Sequence, residues 1–363
     1  MREGAGETEE RRFRSVAPSP ALTNLNIGPQ SAHTCSMDAP GPPSEDLAIR
    51  TRRLTKTYGD TNVVDGLDLV VPRNSVFGFL GPNGAGKTTT MKMLLGLIRP
   101  SSGSGSVYGL DIVDESPAVR RRIGYLPQDP KFYGHMTARE TLRFAARFFF
   151  IGPQDGIDLR VSEMLELVGL SEKDDRPVRT FSGGEMQRLG IAQAQIHKPD
   201  LLILDEPAAA LDPLGRRDVL AILDRLREDS TVFYSTHILD DVQRVSDAVC
   251  ILREGRVAAQ GSIAEVLAGN ENTTYEVQAH GDLDRAKGLL ETEAWVDAVA
   301  IEGDHSSGTL RIRVSDNDQA ELHLQRRLLA DESLVISEFK QLKPNLEDVF
   351  VSIVEGATDD ERD

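Results

Sequence analysis

Gly81-Pro82-Asn83-Gly84-Ala85-Gly86-Lys87-Thr88 fits G-x-x-x-x-G-K-[ST], and few folds can house such a loop. Its flanks supply the context it needs. Ser75–Leu80 is a short apolar run that reads as a buried strand, and Thr89–Leu95 continues a helix whose first turn lies inside the motif. Glycines let the backbone curl until several N–H groups point inward, and the helix N-terminus adds partial positive charge, so the natural ligand is a polyphosphate. In that reading Lys87 reaches the β- and γ-phosphates, the Thr88 hydroxyl ligates Mg²⁺, and Thr89 belongs to the same binding set. The plainer alternative is a glycine-rich turn without a ligand. Lys-Thr at the right offset between strand and helix argues against it.

Leu201-Leu202-Ile203-Leu204 reads as a buried strand closed by Asp205 and Glu206, at the carboxyl end where parallel sheets bind ligands. Asp205 is placed to hold Mg²⁺ through water, and Glu206 to take a proton from an attacking water. Alone, the pair would be better explained as an acidic cap after a core strand. The upstream phosphate loop favours the nucleotide reading. A third stretch, Ser182-Gly183-Gly184, opens the helix that carries Leu189, Ile191 and Ala192, and its bare amides form a second phosphate site. One loop already cradles a triphosphate, so the spare site implies a partner copy that presents it across an interface. A Ser N-cap before glycines is common, and by itself it says little.

The chain is long enough, at 363 residues, for two domains with separate cores. Residues 1–46 mix charge, Pro and Ser, offer little to bury and are expected to be disordered, with Met37 a candidate start. Short strands follow at Leu47–Tyr58, Val63–Val71, Val107–Gly109 and Ile123–Gln128. Helical spacing then takes over in an insert, at Thr137–Ile151, Leu159–Leu170 and Gly184–His197. Strands return at Leu201–Leu204, Thr231–Tyr234 and Ala248–Leu252, separated by helices Pro213–Arg227 and Ile238–Val245, the alternation of a mostly parallel sheet. After helix Ile263–Leu267 and a polar linker at Gly269–Asn272, the elements read β-α-β-β-α-β: Thr274–Ala279, Leu283–Glu291, Trp295–Ile301, Thr309–Val314, Gln319–Leu329 and Leu334–Leu342. That is the ferredoxin-like order. A last helix, Asn345–Val354, places Leu346, Val349, Phe350 and Ile353 on one face to dock on a neighbour, and an acidic tail occupies 356–363.

A formal charge of −17 and a pI near 4.9 argue against broad attraction to nucleic acid or anionic lipid. Two cysteines, Cys35 in the tail and Cys250 in an apolar run, indicate neither a disulfide framework nor a metal cluster. No apolar run reaches the length of a transmembrane helix, and Met1-Arg2-Glu3-Gly4 opens without the apolar region of a secretory signal.

Together these residues resemble the ATP-binding subunits of ABC transporters over roughly residues 47–268, with Ser182-Gly183-Gly184 matching the family's signature motif. The resemblance implies an α/β P-loop cassette, its mostly parallel sheet joined by an antiparallel β part and a helical subdomain. A small α+β accessory domain follows over 272–355. ATP and Mg²⁺ are the implied cofactors. Tyr58 looks like the aromatic that stacks on adenine, the alternative being an ordinary strand-end Tyr. Gln128 looks like the Q-loop glutamine that reaches Mg²⁺ and the attacking water, and His237 like the switch histidine at the γ-phosphate. Asp212 looks like the D-loop aspartate at a dimer interface, although an N-cap before Pro213 explains it equally well. Two departures stand out: Glu185 where the signature often has Gln, and Ala208-Ala209-Ala210 in place of a more polar turn, which puts D-loop flexibility in question.

The implied function is ATP hydrolysis by two cassettes closed head to tail. A chain that does not itself span a bilayer needs separate membrane-spanning subunits, which places it on the cytoplasmic face of the cell membrane. Phe132, Tyr133 and the amphipathic Thr137–Phe150 stretch are where those subunits would dock, the alternative being that its phenylalanines are core. Pro344–Phe350, with Ile123–Gln128 and Arg188–Ala192, resembles more specifically the ABC-2 exporters, such as drug-export ATPases. The competing class is a soluble ABC ATPase acting on nucleic acid or ribosomes. Such proteins carry a long coiled-coil insert or two cassettes, and neither is seen here. The accessory domain is read either as a dimerisation element or as a ligand sensor.

Overall fold

The computed structural model describes residues 46–350 apart from 152, 210, 269–272, 305, 332, 343–345 and 348. The expected tails, apart from Asp46, and the linker Gly269–Asn272 lie outside the described residues, as does part of the last helix.

Two sheets build the larger lobe. The first is antiparallel: β1 (Leu47–Tyr58) pairs with β2 (Thr61–Leu67), with β3 (Val70–Pro72) and with β5 (Ser102–Val107), which carries β6 (Leu110–Asp111) at its edge. Between them in sequence lie β4 (Val76–Leu80) and helix α1 (Lys87–Leu94). After helix α2 (Ser116–Arg121) the second sheet takes shape in the order β11-β10-β4-β9-β8-β7, from β7 (Ile123–Leu126), β8 (Leu201–Leu204), β9 (Thr231–Thr236), β10 (Ala248–Arg253) and β11 (Arg256–Ser262). All of its pairs are parallel except β10–β11.

The central strands are buried on both faces, as continuous runs such as Leu201–Leu204 require. Strand alternation divides their side chains between two cores. Phe77, Phe79, Phe233 and Ile203 face α1 and the antiparallel sheet, while Val76, Leu80, Val232, Leu202 and Leu204 face the helices. Those helices are the insert α3 (Ala138–Ala146), α4 (Gln154–Leu167) and α5 (Gly183–Gln195), followed by α6 (Pro213–Leu226), α7 (Leu239–Val245) and α8 (Ile263–Ala268). α5 lies close on β7 because each presents a glycine to the other: a Cβ at Gly124 would sit 2.1 Å from the Ala194 carbonyl oxygen, and one at Gly190 2.4 Å from Leu126.

Four expectations need correcting. Val63–Val71 is two strands, interrupted after Leu67, where the buried Thr51 hydroxyl donates to the Leu67 carbonyl (2.7 Å) and accepts from Leu69 N–H (2.8 Å), bridging the break. Tyr108-Gly109 is the turn between β5 and β6 and not strand, with both residues left-handed at φ 49° and 82°, the pair that a tight hairpin requires. The alternation after Leu201 ends in an antiparallel edge strand, β11, whose small and polar residues gave no strand signal. Its cue was Glu254-Gly255, another left-handed pair (φ 49° and 80°). Finally, α3 stops at Ala146, so Phe148–Phe150 lie beyond the helix.

The smaller lobe has the anticipated element order: β12 (Thr273–His280), α9 (Leu283–Leu290), β13 (Val296–Asp304), β14 (Ser307–Val314), α10 (Asn317–Leu329) and β15 (Val335–Leu342). Its sheet runs β13-β14-β12-β15, antiparallel throughout, over a separate core that includes Tyr275, Leu283, Leu310, Ile312 and Leu324. Past it the chain returns to the larger lobe. Leu346 and Val349 are buried in that lobe's core, and Leu346 N–H donates to Gln243 of α7 (3.4 Å). The described part of the face read from the sequence as a docking face, Leu346, Val349 and Phe350, thus packs into the chain's own larger lobe.

Candidate active site

Two glycines of the 81–86 loop, Gly81 and Gly86, are wedged against backbone so that neither has room for a side chain. Gly86 is the N-cap of α1 at φ 101°, and a Cβ there would lie 2.6 Å from the Val63 carbonyl oxygen. A Cβ at Gly81 would lie 2.6 Å from that of Leu252. Ala85 accepts from Gly255 N–H (3.1 Å), so the β10–β11 hairpin props the loop from behind. No side chain caps α1, which leaves its first amides to whatever enters the loop.

Lys87 is 6% exposed and curls back over the loop, its Nζ 2.6 Å from the Gly81 carbonyl and 3.2 Å from that of Pro82. It also stands 3.2 Å from Glu206 Oε1, while Glu206 Oε2 is 3.0 Å from His237 Nδ1. A second network begins at Thr88, whose hydroxyl donates to Asp205 Oδ2 (2.8 Å). Ser235 Oγ donates to Asp205 Oδ1 (2.6 Å) and accepts from Glu206 N–H (2.8 Å). Glu206 itself is held at φ 50°, a left-handed backbone that a non-glycine residue adopts at a cost of order 1–3 kcal/mol. That turn aims its carboxylate away from the strand and toward Lys87 and His237. Glu206 Oε1 is buried, and among the described residues its polar contact is the Lys87 ammonium. Tyr125, on the neighbouring strand, is pushed up to about 12 by burial, with the Asp205 charge adding to the shift.

The ends of β4, β8 and β9 therefore bring Lys87, Thr88, Asp205, Glu206 and His237 together, as the sequence predicts. Sequence reasoning missed Ser235, a fully buried hydroxyl that joins both acids. Its signal was a polar residue closing an apolar strand. The candidates outside residues 81–89 stand apart and share no hydrogen bond with this cluster among the described residues. Tyr58 is half exposed, with the Lys56 ammonium 5.0 Å over its ring. Gln128 is exposed, two residues past β7, and its carbonyl accepts from Gln187 Nε2 (3.1 Å). Asp212 caps α6, accepting from Gly215 N–H (3.1 Å). Ser182 and Gly183 lie exposed at the start of α5.

Comparison with known proteins places this geometry. Residues 64–209 match the family model of the ABC transporter, and residues 261–354 that of the DrrA1-3-like ATP-binding protein C-terminal domain. The bacitracin transport ATP-binding protein BcrA of Bacillus licheniformis is 35% identical over 312 residues, 85% of this chain and 98% of that protein. The chain belongs to the ATP-binding subunits of ABC transporters. The daunorubicin/doxorubicin resistance ATP-binding protein DrrA of Streptomyces peucetius is 35% identical over 319 residues, covering 86% of this chain and 94% of that protein. Among solved structures, the dimeric bacterial ABC transporter cassette MJ0796 aligns with a TM-score of 0.55 at 25% identity, over 59% of this chain and 98% of that one. As an ABC subunit the protein is an ATPase, and its larger lobe is the cassette.

Two further features of the cassette bear on function. The signature helix α5 starts with a reciprocal cap: Ser182 Oγ accepts from Glu185 N–H (3.3 Å), and Glu185 Oε2 accepts from Ser182 N–H (2.8 Å). On the flank between β7, α3 and α5 lies a cavity of about 360 Å³ lined by Tyr125, Phe132, Phe144, Phe149 and His197. Phe148 is 72% and Phe149 48% exposed, so these rings are surface and not core. Phe149 stacks on the His197 imidazole at 4.0 Å. Among the described residues no helix is long and apolar enough to cross a membrane.

Proposed function

We propose that two copies of this chain close head to tail on two ATP molecules and drive export through separate membrane-spanning subunits. The observation that carries this reading is the separation of the two phosphate-binding elements. One chain holds a complete Lys87–Glu206–His237 and Thr88–Asp205–Ser235 cluster, while Ser182 and Gly183 at its signature helix start are exposed and share no hydrogen bond with it among the described residues. A second copy supplies the missing side.

In the closed state Lys87 leaves the loop carbonyls and Glu206 for the β- and γ-phosphates, helped by the amides at the uncapped start of α1. Pro82, Asn83, Gly84 and Ala85 shape the loop around them. Thr88 and Asp205 would hold Mg²⁺ through a hydroxyl and a carboxylate oxygen, and the cation would neutralise charge on the transferring phosphoryl group. Glu206 takes the proton of the attacking water, worth about 10²–10⁴-fold. His237 and Gln128 orient that water, Tyr58 stacks on adenine, and Ser182, Gly183, Gly184 and Asp212 act across the interface. The aromatic flank beside Gln128 suits an amphipathic segment of a membrane subunit, which puts the chain on the cytoplasmic face of the membrane. BcrA and DrrA, which match nearly end to end, support export over a nucleic-acid or ribosomal role.

Ser182→Glu tests the shared pocket. It should abolish hydrolysis while single chains still bind ATP. Full-rate hydrolysis by an unpaired Ser182→Glu chain would end the proposal. Mass spectrometry of what co-purifies from membranes should identify a polytopic subunit.

A further inference from the structure

Glu185 puts a negative charge at the helix start that is to receive phosphate. Glutamate suits the cap, since an acid in the first turn complements the helix dipole, yet the same charge repels an incoming anion. The carboxylate is 7% exposed, and burial works to raise its pKa, but hydrogen bonds from Lys173 and from Ser182 N–H outweigh that and hold it below the usual range. It is therefore ionised when nucleotide arrives.

We infer that Lys173 is a positioning residue for nucleotide capture, the counter-charge that allows a carboxylate to stand beside the phosphate-receiving end of the signature helix. This inference rests on the reading of Ser182 as a phosphate contact. The Lys173 ammonium bonds Glu185 Oε1, the oxygen not used in the cap. Its backbone is pinned on both sides. Lys173 N–H donates to the Leu170 carbonyl (3.0 Å), and its own carbonyl accepts from Arg176 N–H (3.1 Å). The next residue, Asp174, accepts from Arg139 Nε of α3 (2.8 Å), and its carbonyl accepts from Arg139 N–H (3.1 Å). The loop thus delivers its ammonium to Glu185 from a fixed platform, unlike a free surface lysine. Arg176 adds positive charge nearby, its guanidinium 5.9 Å over the Phe181 ring, but its own hydrogen bonds go to Thr180. The pair leaves the cap intact and the local charge near zero, so phosphate meets amides and a hydroxyl in place of a bare carboxylate.

Steady-state hydrolysis by the full-length protein tests this. Lys173→Gln should raise KM for ATP about tenfold, the effect of one uncompensated charge near the anion, with kcat little changed. Lys173→Arg should stay close to the parent, and K173Q/E185Q should bring KM back, because the amide still caps the helix and needs no counter-charge. A purely structural Lys173 would leave the double variant as impaired as the single one. An unchanged KM in K173Q, or no recovery in the double variant, overturns the inference. If K173Q alone fails to fold, the double variant decides by the same criterion. Ser182→Glu in the same series separates the two ideas. If it is inactive while K173Q keeps the parent KM, only the counter-charge role fails. If it hydrolyses at full rate, the phosphate reading itself fails.

Discussion

Replacing Glu206 with glutamine separates binding from chemistry, because its two oxygens have different partners. Oε2 lies 3.0 Å from His237 Nδ1, and an amide oxygen keeps that contact. Oε1 lies 3.2 Å from the Lys87 ammonium, an attraction of about 5 kcal/mol at an effective dielectric near 20 before desolvation is subtracted. Lys87 must give up this ion pair to reach phosphate, so E206Q removes a competitor for the lysine. ATP should bind at least as tightly as in the parent. Turnover should fall by about 10²–10⁴-fold, or about 2.7–5.4 kcal/mol, the contribution of a general base. Titration with a fluorescent nucleotide and phosphate release under saturating ATP measure the two quantities on one preparation. A kcat within about threefold of the parent would remove Glu206 as the base. A Kd for ATP that rises by about tenfold would show that the Lys87–Glu206 pair does not compete with phosphate.

Three further outcomes are expected. Gly86→Ala combines a φ of 101° with a Cβ 2.6 Å from a backbone carbonyl, so it should lower stability by about 1–3 kcal/mol in denaturant melts and lose ATP binding together with the loop; unaltered binding would contradict the wedge at Val63. Glu185 has a folded-state pKa below its unfolded value, so its stabilising effect is complete at neutral pH and is lost as pH falls below the ordinary Glu range and through the folded pKa. E185Q should flatten that acid limb of the stability curve, and an acid limb of unchanged shape would argue against an ionised cap. Cys250 is fully buried in β10, where burial pushes its thiol far up. In a Cys35→Ser background a thiol-specific reagent should therefore label the native protein only at the rate of global unfolding; fast labelling would show that β10 opens locally.

The parts of the site that lie close together in sequence were legible there. A phosphate loop works through backbone amides, so its spacing is its geometry, and Gly81–Thr88 needed no distant partner to be recognised. The same holds for Asp205 and Glu206 at the end of an apolar run, and for Ser182, whose reciprocal cap with Glu185 spans three residues. Glycine pairs at hairpins were less legible. Tyr108-Gly109 and Glu254-Gly255 act through left-handed backbones, which a search for apolar runs passes over.

What only the tertiary structure decided is which side chains share an oxygen or a charge. Ser235 joins Asp205 to the backbone of Glu206 because β8 and β9 are neighbours in a parallel sheet, and nothing local to Thr231–Thr236 states that order. The ion pair from Lys87 to Glu206 and the lysine that answers Glu185 are likewise contacts between separate elements of the chain. Short-range hydrogen bonding and side-chain periodicity are written along the sequence. Strand order and charge pairing follow from burying two cores at once, a condition that the whole chain meets together.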